Sequence, residues 1–148
     1  FMELETMTLE SLINTKKATL IYIDKSAKVQ DAINRMCDGK VGSLLIQSGD
    51  GQLAGILTER DILRFCATRS SELASTEVAE IMTRNPVTAP PHCSNEEAMT
   101  LMTERRFRHL PIVDNDKVIG MVSIGDLVKS RLQDCTVEIK YLRDFISA

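Results

Sequence analysis

Apolar positions along this chain change their spacing in the same order twice. Thr19-Leu20-Ile21-Tyr22-Ile23 is a short run rich in β-branched residues and predicts a buried strand. Val29, Ala32, Ile33, Met36 and Cys37 then fall three and four residues apart, which is one face of a helix. Gly39 is expected to close that helix, and residues 43–47 resume as strand. Ser48-Gly49-Asp50-Gly51 supplies the chemistry of a tight hairpin. Residues 53–57 return as strand and lead into a helix carrying Ile62, Leu63, Phe65 and Cys66. The second half replays this order. Pro86-Val87-Thr88-Ala89 is the short strand, and Ser94-Asn95-Glu96-Glu97 is a capping box that opens a helix with Ala98, Met99 and Met102 inward. Residues 110–113 and 118–122 are strands around the turn Asp114-Asn115-Asp116-Lys117, and a helix starts at Ile124.

The chain therefore reads as an internal duplication of a β-α-β-β-α unit. A capped linker helix is expected over residues 75–82, and residues 8–13 stand in the same position before the first unit. A last amphipathic helix, residues 136–147, carries Val137, Ile139, Tyr141, Leu142, Phe145 and Ile146. The expected limits are 8–70 for the first repeat, 75–132 for the second and 136–147 for the terminal helix. A unit of three strands and two helices cannot bury both faces of its sheet alone. The expected fold is thus α/β (α+β), with the two repeats packed about a pseudo-two-fold axis.

Composition narrows the function. At 148 residues, with 43% hydrophobic and 26% charged, the chain is ordinary for a globular protein. Aromatics are 4% and Trp is absent, so the core must be aliphatic. A net charge of −3 counts against a dedicated nucleic-acid binder, and no apolar stretch approaches the roughly 18 residues of a membrane span. Arg105-Arg106-Phe107-Arg108-His109 is one short basic cluster, better suited to the phosphate of a small nucleotide than to a polynucleotide. The four cysteines, Cys37, Cys66, Cys93 and Cys135, form no CxxC. His92-Cys93 reads as loop, so no metal site is expected. Reduced thiols suit the cytoplasm, or an organelle reached through a targeting peptide since removed.

One motif recurs at the point where strand becomes helix: Gly55-Ile56-Leu57-Thr58-Glu59-Arg60-Asp61 and Gly120-Met121-Val122-Ser123-Ile124-Gly125-Asp126. Thr58 and Ser123 can be plain N-caps, with Asp61 and Asp126 in the first turn. The same arrangement also suits a nucleotide. A carboxylate accepts from two ribose hydroxyls, while a hydroxyl and helix N-terminal amides hold phosphate.

Paired units carrying Thr58-Glu-Arg-Asp61, Arg108-His-Leu-Pro-Ile-Val113 and Ser123-Ile-Gly-Asp126 resemble a tandem CBS-domain protein, a Bateman module, from about residue 8 to 132. The resemblance implies adenosine-containing ligands: AMP, ADP, ATP, S-adenosylmethionine or NAD. It also implies crossed clefts, in which the junction of one repeat meets the first two strands of the other. Carried over by residue, one cleft joins Thr58, Arg60 and Asp61 to Arg108, His109 and Leu110, with Val87 at the adenine. The other joins Ser123, Gly125 and Asp126 to Gly42, Ser43 and Leu44, with Thr19 or a neighbour at the adenine. In both, main-chain groups of the short strands would read the purine edge. The first cleft is expected to be arginine-rich and to bind the more anionic ligand, and the second to be small and nearly neutral.

The chain has no Walker A loop, GxSxG or HExxH, and its two histidines do not assemble an acid–base pair, so no enzyme and no catalytic cofactor are expected. The expected function is regulatory: an adenine nucleotide (AMP, ATP or NAD) is sensed, and the change is passed to an effector protein in trans. A homodimer through the helices after Thr58 and Ser123 is expected, with no membrane or nucleic-acid partner. The alternative is a ligand-free pair that acts only in dimerisation and protein interaction.

Overall fold

The computed structural model describes residues 7–16 and 20–147. Its elements run α1 (Leu9–Lys16), β1 (Tyr22–Asp24), α2 (Val29–Gly39), β2 (Ser43–Gln47), β3 (Leu53–Thr58), α3 (Glu59–Arg69), β4 (Thr83–Arg84), α4 (Asn95–Arg105), β5 (His109–Asp114), β6 (Lys117–Ser123) and α5 (Ile124–Ser147). The fold is mixed α/β with two tandem repeats. β1 runs parallel to β2, β2 antiparallel to β3, and the β2–β3 hairpin has a register shift after Ile46. The β5–β6 hairpin repeats this with a shift after Ile112. It turns on Asn115 and Asp116, both at positive φ, the two-residue geometry that twists with the strands.

Each helix starts and stops for a local reason. On α2, Val29, Ala32 and Met36 are buried, whereas Cys37 at the edge of the predicted face is exposed. The left-handed residue that ends α2 is Lys40, at φ 52, not Gly39. Arg106 ends α4 in the same way. Ser94 Oγ accepts from the Glu97 amide at 3.0 Å and caps α4, which buries Ala98 and Met102.

The repeats are tied by an exchange of their leading segments. Leu9 N donates to Cys93 O at 2.9 Å, and Asn95 N to Met7 O at 2.9 Å. In the mirror arrangement Val78 N donates to Ala27 O at 2.8 Å, and Val29 N to Thr76 O at 2.9 Å. Each lead thus completes the core of the other repeat. Leu9, Leu12 and Ile13 pack with Met102, Leu110, Ile112 and Leu127. Val78, Ile81 and Met82 pack with Met36, Leu44, Ile46 and Leu57.

Three expectations are corrected. Residues 75–82 are not a helix: only a 3₁₀ turn forms at Val78–Glu80, because Thr83 and Arg84 pair with Ile56 and Gly55 on β3. Asn85 at positive φ and Pro86 then end the segment. The second short strand reduces to a single parallel bridge, Ala89 to Ile112. The terminal helix is not separate, since α5 runs unbroken from Ile124 to Ser147, and nothing in residues 126–147 breaks a helix. The side chains of Cys135, Val137, Ile139, Tyr141 and Phe145 lie outside the described residues, while Leu142 and Ile146 are exposed. No described helix is long and apolar enough to cross a membrane.

Candidate functional site

Both junctions fold into the same reciprocal cap. The Asp61 amide donates to Thr58 Oγ1 at 3.3 Å, and the Thr58 amide and hydroxyl donate to Asp61 Oδ2 at 2.9 and 3.1 Å. The Asp126 amide donates to Ser123 Oγ at 3.0 Å, and the Ser123 amide to Asp126 Oδ2 at 2.8 Å. Each helix start is also tied to the strand beside it: Glu59 N donates to Gly42 O at 3.1 Å, and Ile124 N to Arg108 O at 2.8 Å. The plain capping reading of the motif therefore holds in both copies. In each, the bonds that the carboxylate accepts from its capping residue fall on Oδ2.

The two junctions differ in what faces them. A cleft of about 390 Å³, within the ~300–1,000 Å³ usual for small-molecule sites, opens between the repeats beside Ser123. The first repeat contributes Leu20, Ile21, Lys40, Val41, Gly42, Ser43 and Leu45, and the second His109, Ile119, Gly120, Met121 and Ser123. Ile13 and Lys16 close one side from α1. Lys16 Nζ donates to Asp126 Oδ2 at 2.7 Å and to the Met121 carbonyl at 3.1 Å. Sequence reasoning missed Lys16. It lies far along the chain from Asp126, and no local pattern marks the contact.

This cleft, expected to be nearly neutral, holds Lys16 already paired with Asp126, and a second lysine, Lys40. Lys16, Lys40 and His109 bring basic groups to it, and His109 was expected beside Thr58 instead. His109 lies between the two junctions: its Nε2 is 3.6 Å from where a Gly42 Cβ would stand, and Glu59 Oε1 is 3.2 Å from the same point. Burial holds the His109 imidazole below its ordinary pKa. Glu59 and Asp126 act against that shift, while Lys16 and Arg108 reinforce it. Its Nδ1 is buried without a hydrogen-bond partner among the described residues. Burial of the Asp126 carboxyl acts to raise its pKa, but the Lys16 hydrogen bond and the Ser123 amide outweigh it, so the group sits below the usual carboxylate value.

Of the other expected site residues, Gly42 and Ser43 line the cleft with Ser123, and Gly125 is exposed beside Ser123 Oγ. Leu44 and Leu110 are fully buried in the two cores, so their side chains cannot touch a ligand there. Val87 packs partly against the second core, and Arg60 and Arg108 are exposed. Thr58, Asp61 and Asp126 do not line the cleft, although Asp126 is bonded to Lys16, which does. Thr19 lies outside the described residues.

The family model for the CBS domain matches residues 13–68 and 78–132. The chain belongs to the CBS domain family. It is 34% identical over 150 residues to the CBS domain-containing protein CBSX3, mitochondrial, of Arabidopsis thaliana, with 96% of this chain and 73% of that protein covered. Its structure resembles the CBS-domain protein ATU1752 from Agrobacterium tumefaciens, at a TM-score of 0.82 and 27% identity, covering 88% of this chain and 98% of that one. It also resembles CBSX2 of Arabidopsis thaliana, a CBS-pair protein solved in complex with AMP. That match has a TM-score of 0.70 and 26% identity, and covers 86% of this chain and 97% of the other. The two CBS repeats of this chain thus match paired CBS proteins along nearly their whole length, and both repeats line the cleft beside Ser123.

Proposed function

We propose that this CBS pair is a regulatory module that binds an adenine nucleotide between its repeats and passes the change to an effector protein in trans. The observation that carries this reading is the cleft beside Ser123. There Ser123 of one repeat lines the cleft together with Gly42 and Ser43 of the other, and Asp126 is tied to it through Lys16. Lys40 and His109 add further nitrogen groups. Asp126 would hold the ribose, main-chain groups of residues 20–21 and 42–43 would read the purine, and the basic side chains would meet phosphate. The AMP complex of CBSX2 supports the ligand class. The Thr58/Asp61 junction, with Arg60 in its motif, is the weaker second site of this reading. Arg108 meets the Ser123 junction through its carbonyl, and Val87 packs on the second core. The test is a thermal-shift screen with AMP, ADP, ATP and NAD. A ligand at 100 times its Kd adds about 2.7 kcal/mol, several degrees in Tm for a domain of this size. No shift with any of the four would end the nucleotide reading.

A second reading, a ligand-free dimerisation module, draws on a different observation. Leu63 on α3 is 72% exposed, and Val128, Leu132, Leu142 and Ile146 are exposed along α5. On α5 Val128 and Leu132 are four residues apart, as are Leu142 and Ile146, the spacing of one helix face, which a second copy would match by symmetry. We infer a homodimer through these helices for both readings. Light scattering at tens of micromolar checks it, and a 16.5 kDa species would refute it.

A further inference from the structure

The Lys16–Asp126 pair has a consequence for which ligands the cleft accepts, and it rests on the nucleotide reading above. The expected ribose-holding carboxylate already carries a lysine at 2.7 Å. The pair is partly shielded, with the side chains 30% and 25% exposed. Lys16 uses two of its three N–H donors, one on Asp126 and one on the Met121 carbonyl, and the residue lines the cleft. It sits at the last turn of α1, on a flexible stem that can re-aim the charge over a few ångströms.

We propose that Lys16 is the specificity residue of this cleft, sharing its charge between Asp126 and the phosphate of a bound nucleotide, so that the site selects nucleotides over nucleosides. A ribose whose hydroxyls donate to Asp126 competes with Lys16 for the carboxylate. If the ligand ends at the 5′-hydroxyl, the displaced ammonium loses a charged partner in a half-buried place, and binding is penalised. If the ligand carries a phosphate, the ammonium exchanges one anion for another, and the charge-assisted bond is kept. The ion pair thus acts as a built-in competitor that only an anionic ligand can relieve. Asp61, the counterpart of Asp126, is bonded only by Thr58 among the described residues, so the selection belongs to one cleft.

The experiment compares AMP with adenosine by calorimetric titration of the full chain, in wild type, Lys16→Met and Lys16→Arg. The expected result is a fall of about tenfold or more in the AMP-over-adenosine affinity ratio for Lys16→Met, with adenosine binding unchanged or tighter. Lys16→Arg should keep most of the ratio. A wild type that binds AMP while Lys16→Met leaves the ratio unchanged overturns this assignment and leaves the nucleotide reading standing. A wild type that binds neither ligand removes the nucleotide reading and the assignment with it. Lys16→Gln serves in place of Lys16→Met if the latter does not fold.

Discussion

Thr58 and Ser123 open α3 and α5 with the same cap, to within a few tenths of an ångström, yet only Asp126 is met by a lysine among the described residues. The cause lies in the segments that lead into the repeats. From Leu9 to Ile23 the chain is longer than from Val78 to Ala89, although both pairs occupy matching places in the exchange. The longer lead stays helical to Lys16 and lays Ile13 on β6, where a Cβ on Gly120 would come within 2.6 Å of Ile13 Cγ2. The shorter lead makes one turn and becomes β4 on β3, where a Cβ on Gly55 would come within 2.5 Å of the Thr83 carbonyl oxygen. Both repeats keep a glycine there because another segment crosses at close range. Duplication preserved the local motif in both copies, and the leads made the two junctions unequal.

The largest expected effect tests the exchange itself. Leu9 is fully buried in the second core although it precedes the first repeat. Leu9→Ala should cost about 2–5 kcal/mol, as much as Leu110→Ala inside that repeat. Urea denaturation measures both. If Leu9→Ala costs under about 1 kcal/mol, the lead does not complete the second core.

A smaller effect separates the repeats by pH. The counterpart of His109 is Ser43, which does not titrate, as their pairing with Ser123 and Thr58 shows. The folded-state pKa of His109 is depressed by burial, so the unfolded chain binds more protons as pH falls below about 6.5. Stability from this group is complete above that value and is lost on acidification through the lower folded pKa. His109→Gln should flatten the fall in Tm between about pH 6.5 and 5. A variant that falls as steeply as wild type would show that His109 is not the group responsible.

Much of this was readable in the sequence because it is local. Period, turn residues and caps gave the two hairpins, α2 and α4, and the Thr58 and Ser123 junctions. What sequence could not supply depends on contacts made elsewhere. Residues 75–82 carry a helical pattern, but pairing of Thr83 and Arg84 with β3 leaves room for only a turn. The cleft beside Ser123 looked neutral because Gly125 replaces Arg60 in the motif. It holds Lys16, paired with Asp126, and Lys40, which lie outside the motif.

The most direct test of the account is calorimetric titration of AMP into wild type, Asp61→Ala and Asp126→Ala at two salt concentrations. A charged hydrogen-bonding group is worth roughly 1.5–3 kcal/mol, about 10- to 150-fold in affinity. Asp126→Ala should weaken the tighter event by that factor, and Asp61→Ala should leave it in place. Because basic side chains line that cleft, the event should also weaken as salt rises. Loss of the tighter event in Asp61→Ala, with Asp126→Ala unchanged, would contradict the assignment of the nucleotide to the cleft beside Ser123.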